Sequence, residues 1–250
     1  MSKVIKGVFF DLLGTLLIYG DMEKAWQDWL EVFFAGLKED GLIVLPEEFA
    51  RKCDGFFGRE VNGKAGDGLT VYEQRIADLM AELSLASEDK RLRYLADTTA
   101  AAWHRQITLD PEAKSVLEKL KKNRATALIS NFDHPPHVHN ELEQLNLKRF
   151  FETIVISGEV GVAKPDPRIF SIALRETGLK ADEVVYVGDT DDDVKGAKAA
   201  GIRPILIRRD GENNHTALDY KVDYGDEGSE ISDNDGVRVI SRLSELLTLL

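Results

Sequence analysis

Six short runs of continuous apolar, largely β-branched residues punctuate the chain: KGVFF (6–10), ATALIS (125–130), TIVIS (153–157), EVVYV (183–187), RPILI (203–207) and VRVI (237–240). Runs of this length without polar alternation predict strands covered on both faces, as in a parallel sheet. Helical patterns lie between them. PEAKSVLEKLKKN begins with a proline after Asp110 and sets Ala113, Val116, Leu117 and Leu120 on one face; DPRIFSIALRETG begins in the same way and closes on Gly178. This alternation predicts an α/β fold with a doubly wound parallel sheet.

Residues 19–104 break the rhythm. Trp26, Trp29, Leu30, Phe33, Phe34 and Leu37 recur at helical spacing, as do Tyr72, Ile76, Leu79 and Leu83, and then Leu92, Leu95, Thr99 and Trp103. With no strand run of comparable strength, the interval predicts an all-helical insertion after the first strand, and hence a core of residues 1–18 and 105–250 with a helical domain of residues 19–104. The aromatics are read as core. GFFGREVNGKAGDG (55–68) is read as a connection and not a phosphate-cradling loop, because no strand precedes it and no helix start follows directly. The polar stretch 210–236 carries nine acids balanced only by Lys221 and is read as a solvated excursion; its DND followed by glycine does not continue the ligand spacing of a calcium loop.

The net charge of −12 and a pI near 5.0 set the overall field against nucleic acid and anionic membrane surfaces, so an anionic substrate needs a local cation. A single cysteine, Cys53, excludes an intrachain disulfide and a cysteine zinc site, which points to a reducing cytoplasm. Lys3 and Lys6 precede an apolar stretch, but Asp11 interrupts it, and no segment has about 18 uninterrupted apolar residues, so no membrane span is expected.

In an open parallel sheet, ligands bind beyond the carboxyl ends of the strands. Asp11 ends the first run, Ser130 and Asn131 end the second, Lys164 follows the third in GVAKPDPRIF, and Asp189 follows VVYVG with Asp191, Asp192 and Asp193 behind it. Singly, each has an ordinary use as a turn former, helix cap or solvated charge. Their joint order is what carries chemistry.

That order resembles the haloacid dehalogenase-like hydrolases, and the resemblance covers nearly the whole chain. DLLGT (11–15) is similar to the first motif of the family, Asp-x-Asp-Gly-Thr, except at Leu13. LISN is similar to the second motif, Lys164 in AKPDPRIF to the third, and VGDTDDDVKGAKAAG (187–201) to the fourth. SNFD taken with AKPDPRIF points to one branch of the family. The resemblance implies a helical cap at 19–104 and Asp11 as a nucleophile that forms an aspartyl-phosphate. It implies Mg2+ held by Asp11, the carbonyl of Leu13 and Asp189, with Asp193 binding the ion or orienting its waters. It further implies phosphate binding by Gly14, Thr15, Ser130, Asn131 and Lys164, and a small phosphorylated molecule as substrate.

Leu13 stands where the family's phosphatases carry a proton-moving aspartate. Positioned acid-base catalysis is worth about 10²- to 10⁴-fold, so the resemblance implies a weak or narrow phosphohydrolase. Two alternatives stay open: a fold-retaining binding or regulatory protein without turnover, and a 2-haloacid dehalogenase, whose chemistry needs neither Mg2+ nor a general acid. Against the latter stand Gly188, Asp189 and Asp193, where dehalogenases carry a Ser-Asn type sequence. Asp133 and His134, in the loop after Ser130, are candidate replacements for the missing acid. His134, His137 and His139 are read as lining the start of a helix, because their spacing lacks the four ligands of a structural zinc site.

Overall fold

The computed structural model describes residues 4–61, 68–209 and 236–250. Six parallel strands form the central sheet: β1 (Gly7–Phe10), β4 (Ala125–Ser130), β5 (Thr153–Ile156), β6 (Val184–Gly188), β7 (Arg203–Ile207) and β8 (Arg238–Ile240), in the spatial order β5-β4-β1-β6-β7-β8. All six coincide with the apolar runs to within a residue or two. β1 and β6 are buried along their whole length, which is why their sequences show no alternation. From β1 the chain winds outward through β4 to β5, then returns to β6 on the other side of β1. That reversal opens a crevice at the carboxyl end of β1.

Helices α5 (Ala113–Leu120), α6 (Pro135–Gln144), α7 (Ser157–Val160), α8 (Pro167–Thr177), α9 (Asp191–Ala199) and α10 (Leu246–Leu249) surround the sheet. α8 shows the local logic. Asp166 accepts from the Arg168 amide at its N-terminus, Pro167 opens the first turn, and Gly178 closes the helix in the left-handed region at φ 67°. α5 buries the four residues its spacing put on one face.

Helices α1 (Met22–Glu39), α2 (Pro46–Lys52), α3 (Val71–Glu82) and α4 (Asp89–His104) form the helical insertion, with an aromatic interior. The rings of Trp26 and Trp29 stack at 5.0 Å, and Phe33, Phe56 and Phe57 pack around Trp29 at 5.1–5.3 Å. α3 starts on a capping box in which Thr70 and Glu73 each bond the other's backbone amide. Phe56 and Phe57, from the glycine-rich stretch 55–68, join this core; residues 62–67 of that stretch lie outside the described residues, as does the DND of 210–235.

Two strands went unread in the sequence: β2 (Leu17–Tyr19) and β3 (Ile107–Leu109), an antiparallel ribbon that carries the chain out to the helical insertion and back. Three residues are too few to show a period. The boundary read at residues 18 and 19 therefore falls inside β2. Just beyond the ribbon, the Gly20 amide donates to the Gln106 carbonyl at 2.8 Å, and a Cβ on Gly20 would lie 2.5 Å from that oxygen. Among the described residues, no helix is long and apolar enough to cross a membrane.

Candidate active site

β1 and β6 are neighbours in register, with Phe10 opposite Val187, and the Asp11 amide donates to the Val187 carbonyl at 2.9 Å. Their carboxyl ends therefore deliver Asp11 and Asp189 side by side. Carboxylate oxygens of Asp11, Asp189 and Asp193 all lie within 4.8 Å of one another. Lys164 enters from the loop before α8. Its Nζ donates to Asp11 Oδ1 at 2.5 Å and to Asp193 Oδ1 at 2.7 Å, with Lys164 and both acids buried.

The loops hold this arrangement through specific bonds. Asp193 is the third helical residue of α9 and accepts at Oδ2 from the amides of Asp189 and Thr190 and from the Thr190 hydroxyl, at 3.1, 3.0 and 2.7 Å. The Asn131 side chain clamps the Lys164 backbone, donating from Nδ2 to its carbonyl at 3.0 Å and accepting from its amide at 2.9 Å. The Thr15 hydroxyl donates to Asp189 Oδ1 at 3.2 Å. Gly14 has φ 81°, and a Cβ there would lie 2.0 Å from Asp189 Oδ2, so only glycine lets the DLLGT turn close against β6. Ser130 is buried at the end of β4 and lines the same cavity as Asp11, Lys164 and Asp189.

The electrostatics are those of a crowded anionic pocket. Burial pushes Asp11 up to about 7 against the pull of Lys164, with Asp193 adding repulsion. Burial and the neighbouring Asp11 and Asp193 hold Asp189 well above the usual carboxylate range. Burial also penalises the Asp193 anion, but Lys164 and the Thr190 bonds outweigh it and keep Asp193 below its ordinary value. Lys164 is raised despite burial, because two carboxylates face it.

The cavity above this cluster has a volume of about 630 Å³ and reaches from the sheet edge to the helical insertion. Leu13 lines its floor, and Trp29, Phe57, Tyr72 and Trp103 supply an aromatic roof. Asp133 and His134, the two candidates for the missing acid, also line it but face the insertion. Asp133 pairs with Arg75 of α3, while His134 bonds Thr70 Oγ1 at 3.2 Å through Nδ1 and Asp97 Oδ1 at 3.0 Å through Nε2.

Two contributors escaped the sequence reading. The Tyr186 hydroxyl lies 3.2 Å from Lys164 Nζ, 2.9 Å from Asp193 Oδ1 and 3.1 Å from the Ile129 carbonyl, beneath the charged cluster. A phenol in the otherwise apolar VVYVG was the available signal. Arg209, just after β7, donates to the carbonyls of Gly14 and Thr15 at 2.5 and 2.7 Å and pairs with Asp110 at 2.7 Å, bracing the DLLGT turn from behind. Nothing in the sequence links it to a partner 99 positions away. Gly188 must lack a side chain, since a Cβ would lie 2.3 Å from Asp193 Cγ.

The family model for haloacid dehalogenase-like hydrolases matches residues 5–201, a span that includes every residue of the cluster. The chain belongs to this family. Among curated relatives, the phosphoserine phosphatase of Thermus thermophilus is 39% identical over 107 residues, covering 42% of this chain and 43% of that protein. Haloacid dehalogenase-like hydrolase domain-containing protein 3 of Danio rerio is 41% identical over 90 residues, covering 35% and 36%; SNFD with AKPDPRIF pointed to this branch. The chain spans 39–53% of the length of the first curated phosphatases it matches. Two crystal structures share the fold across almost the whole chain at 21% identity. One is a haloacid dehalogenase-like phosphatase from Thermococcus onnurineus, with TM-score 0.65 and coverage of 98% and 97%. The other is a 2-haloacid dehalogenase from Pseudomonas syringae, with TM-score 0.66 and coverage of 98% of each chain. Nearly equal likeness to both means that the family fold does not choose between their chemistries; the side chains at the strand ends must.

Proposed function

We propose that the protein is a phosphohydrolase that acts through Asp11 on a small phosphorylated molecule. The observation that carries this reading is the meeting of Asp11, Asp189 and Asp193 at the carboxyl edge of the sheet, with Lys164 paired to Asp11 and Asp193. Three carboxylates against one ammonium leave two negative charges in excess, in a place where burial already drives Asp11 and Asp189 toward protonation. An all-oxygen donor set with that excess fits a hard divalent cation, Mg2+. Asp11, Asp189 and the Leu13 carbonyl would hold it; Asp193, with both oxygens engaged, serves as an orienting group. When bound, the ion neutralises charge on the phosphoryl group and on the attacking carboxylate.

The remaining work falls to the chain. Asp11 attacks phosphorus and the leaving-group oxygen departs, giving an aspartyl-phosphate that water then hydrolyses to restore Asp11. Lys164 keeps Asp11 aligned and places positive charge beside the incoming phosphoryl oxygens. Ser130, the amide of Asn131 and the Gly14–Thr15 turn line the phosphoryl position, while residues 19–104 act as a cap over a core of 1–18 and 105–250. Leu13 moves no proton, and Asp133 and His134 are tied to the cap. The reaction is therefore restricted to good leaving groups, such as aryl or acyl phosphates. Trp29, Phe57, Tyr72 and Trp103 suit a planar apolar leaving group.

The test is hydrolysis of aryl and acyl phosphates with Mg2+ by the purified chain and by Asp11→Asn. Turnover that the substitution abolishes is expected; equal rates, or none in either protein, would refute the reading. Leu13 also favours a second reading, a binding protein that keeps the site without turnover. That reading requires phosphate to protect the chain against unfolding while no substrate is turned over.

A further inference from the structure

A second group of metal-ligand side chains meets away from the carboxylate cluster, where α4 of the helical insertion packs on α6 of the core. His104 is the last residue of α4, and His137 and Glu141 stand one turn apart on α6. Side-chain exposure is 7% for His104, 12% for His137 and 15% for Glu141, so all three are largely withdrawn from water. Glu141 Oε2 is fully buried and accepts no hydrogen bond among the described residues. It lies 3.3 Å from His104 Nε2 and 4.0 Å from His137 Nε2.

The proton positions make this arrangement incomplete. His104 Nδ1 lies 3.2 Å from the Ala100 carbonyl, which can only accept, and 2.7 Å from His137 Nε2. With its hydrogen on Nδ1, His104 satisfies either contact and leaves Nε2 as a bare lone pair. That lone pair looks at a carboxylate oxygen, another acceptor. With the hydrogen on Nε2 it faces Glu141 Oε2 at 3.3 Å, yet that oxygen still gains no hydrogen bond. Something cationic belongs between them, a proton or a metal ion.

We propose that His104, His137 and Glu141 form a second divalent-cation site, for Zn2+ or a similar imidazole-preferring ion, that fastens α4 to α6. Two imidazoles and one carboxylate are a common zinc donor set, and a tetrahedral ion with bonds of about 2.0–2.1 Å needs its ligand atoms about 3.3 Å apart. His104 Nε2 and Glu141 Oε2 stand at 3.3 Å, and His137 Nε2, 4.0 Å from that oxygen, would close in on binding. The Ala100 carbonyl holds the Nδ1 proton of His104 and so presents Nε2, the outer-shell contact that zinc histidines ordinarily have. Phe132 packs against both rings, with centroids 5.8 and 6.0 Å away, and with His104 it lines the far side of the substrate cavity. The all-oxygen cluster prefers a hard ion and this one a softer ion, so the two sites sort metals by donor chemistry. Local spacing on α6 concealed the site, because its third ligand comes from 33 positions upstream.

The test strips the full chain with chelator and titrates it with Zn2+ alone by calorimetry, comparing wild type, His137→Asn, Glu141→Gln and Asp189→Asn. One tight equivalent is expected in wild type and Asp189→Asn, with affinity at least tenfold weaker in the other two. Zinc should also raise the melting temperature of wild type and not of Glu141→Gln. X-ray absorption at the zinc edge of the wild type, which needs no variant to fold, should show two imidazoles. An all-oxygen shell, binding lost only in Asp189→Asn, or no uptake of zinc would overturn the proposal and leave the triad a protonated hydrogen-bond group.

Discussion

Replacing Lys164 with methionine tests the charge balance on which the site depends. Methionine keeps the unbranched stem and little cavity opens, so the change is chiefly loss of the ammonium. In the wild type that ammonium sits 2.5 Å from Asp11 Oδ1 and 2.7 Å from Asp193 Oδ1, with all three groups buried. Removing one partner of a buried pair costs about 3–5 kcal/mol, and for a chain of this size each kcal/mol moves the melting temperature by about 2–4 °C, so a loss of roughly 6–20 °C is expected. The assay is thermal unfolding of chelator-treated protein from pH 4 to 8. Burial already lifts Asp11 to about 7 with the lysine present, and without it the folded value rises further, while the unfolded carboxylate titrates near 3.9. Between those values the folded state holds a proton that the unfolded state has lost, so stability falls as pH rises through the window and levels off above it. Asp193 acts in the opposite sense. Its lowered value in the wild type adds stability above the unfolded pKa that disappears as pH falls, and the variant lacks that increment. Wild type shares the Asp11 fall up to about 7, and its Asp193 increment is already in place at pH 4, so the deficit is present across the range and widens above pH 7. A variant within about 1 kcal/mol of wild type at pH 8, or a gap that widens toward acid, would refute the reasoning.

Leu13→Asp restores a proton carrier and should raise hydrolysis of alkyl phosphates by about 10²- to 10⁴-fold in a steady-state assay; an unchanged or lower rate would mean that the leucine belongs to a different working mechanism. Tyr186→Phe removes a hydroxyl that contacts both Lys164 and Asp193, and should cost about 1.5–3 kcal/mol in urea unfolding, the worth of a hydrogen bond to a charged group. Gly188→Ala sets a methyl 2.3 Å from Asp193 Cγ, whose oxygens are held from three sides. Moving it should cost about 1–3 kcal/mol and weaken Mg2+ binding by calorimetry.

What the sequence revealed depended on how each residue is used. Strands buried on both faces announce themselves as unbroken apolar runs, so the six parallel strands were legible and the three-residue ribbon β2–β3 was not. The motif residues were found as a set because strand ends in a parallel sheet converge. Their bonding was not visible, because it depends on which atoms meet. Asn131 was expected to offer its backbone amide to the phosphate, and what the sequence did not show is that its side chain clamps the Lys164 backbone. Thr15 likewise turns its hydroxyl to Asp189. Asp133 and His134 are adjacent to Ser130 in sequence, but α3 and α4 of the insertion claim both side chains. Pairings across 37 or 58 positions leave no local trace.

The near-equal likeness to a phosphatase and a dehalogenase fold makes the end of β6 the decisive feature. An aspartate that attacks carbon needs its own charge kept anionic and little else, and a single lysine would suffice for that. Here the same lysine faces Asp193 as well as Asp11, and Asp189 is brought in beside them, so one ammonium is too little for the anions present. Such an excess is costly in a buried site unless something arrives to balance it. A divalent ion with a phosphoryl group supplies balance and a reacting partner together, whereas a neutral carbon–halogen bond supplies neither. Leu13 removes the proton carrier from this site but not the charge pattern. On the proposed phosphohydrolase reading, the defect is expected to fall on leaving-group departure and water activation, with phosphoryl binding kept.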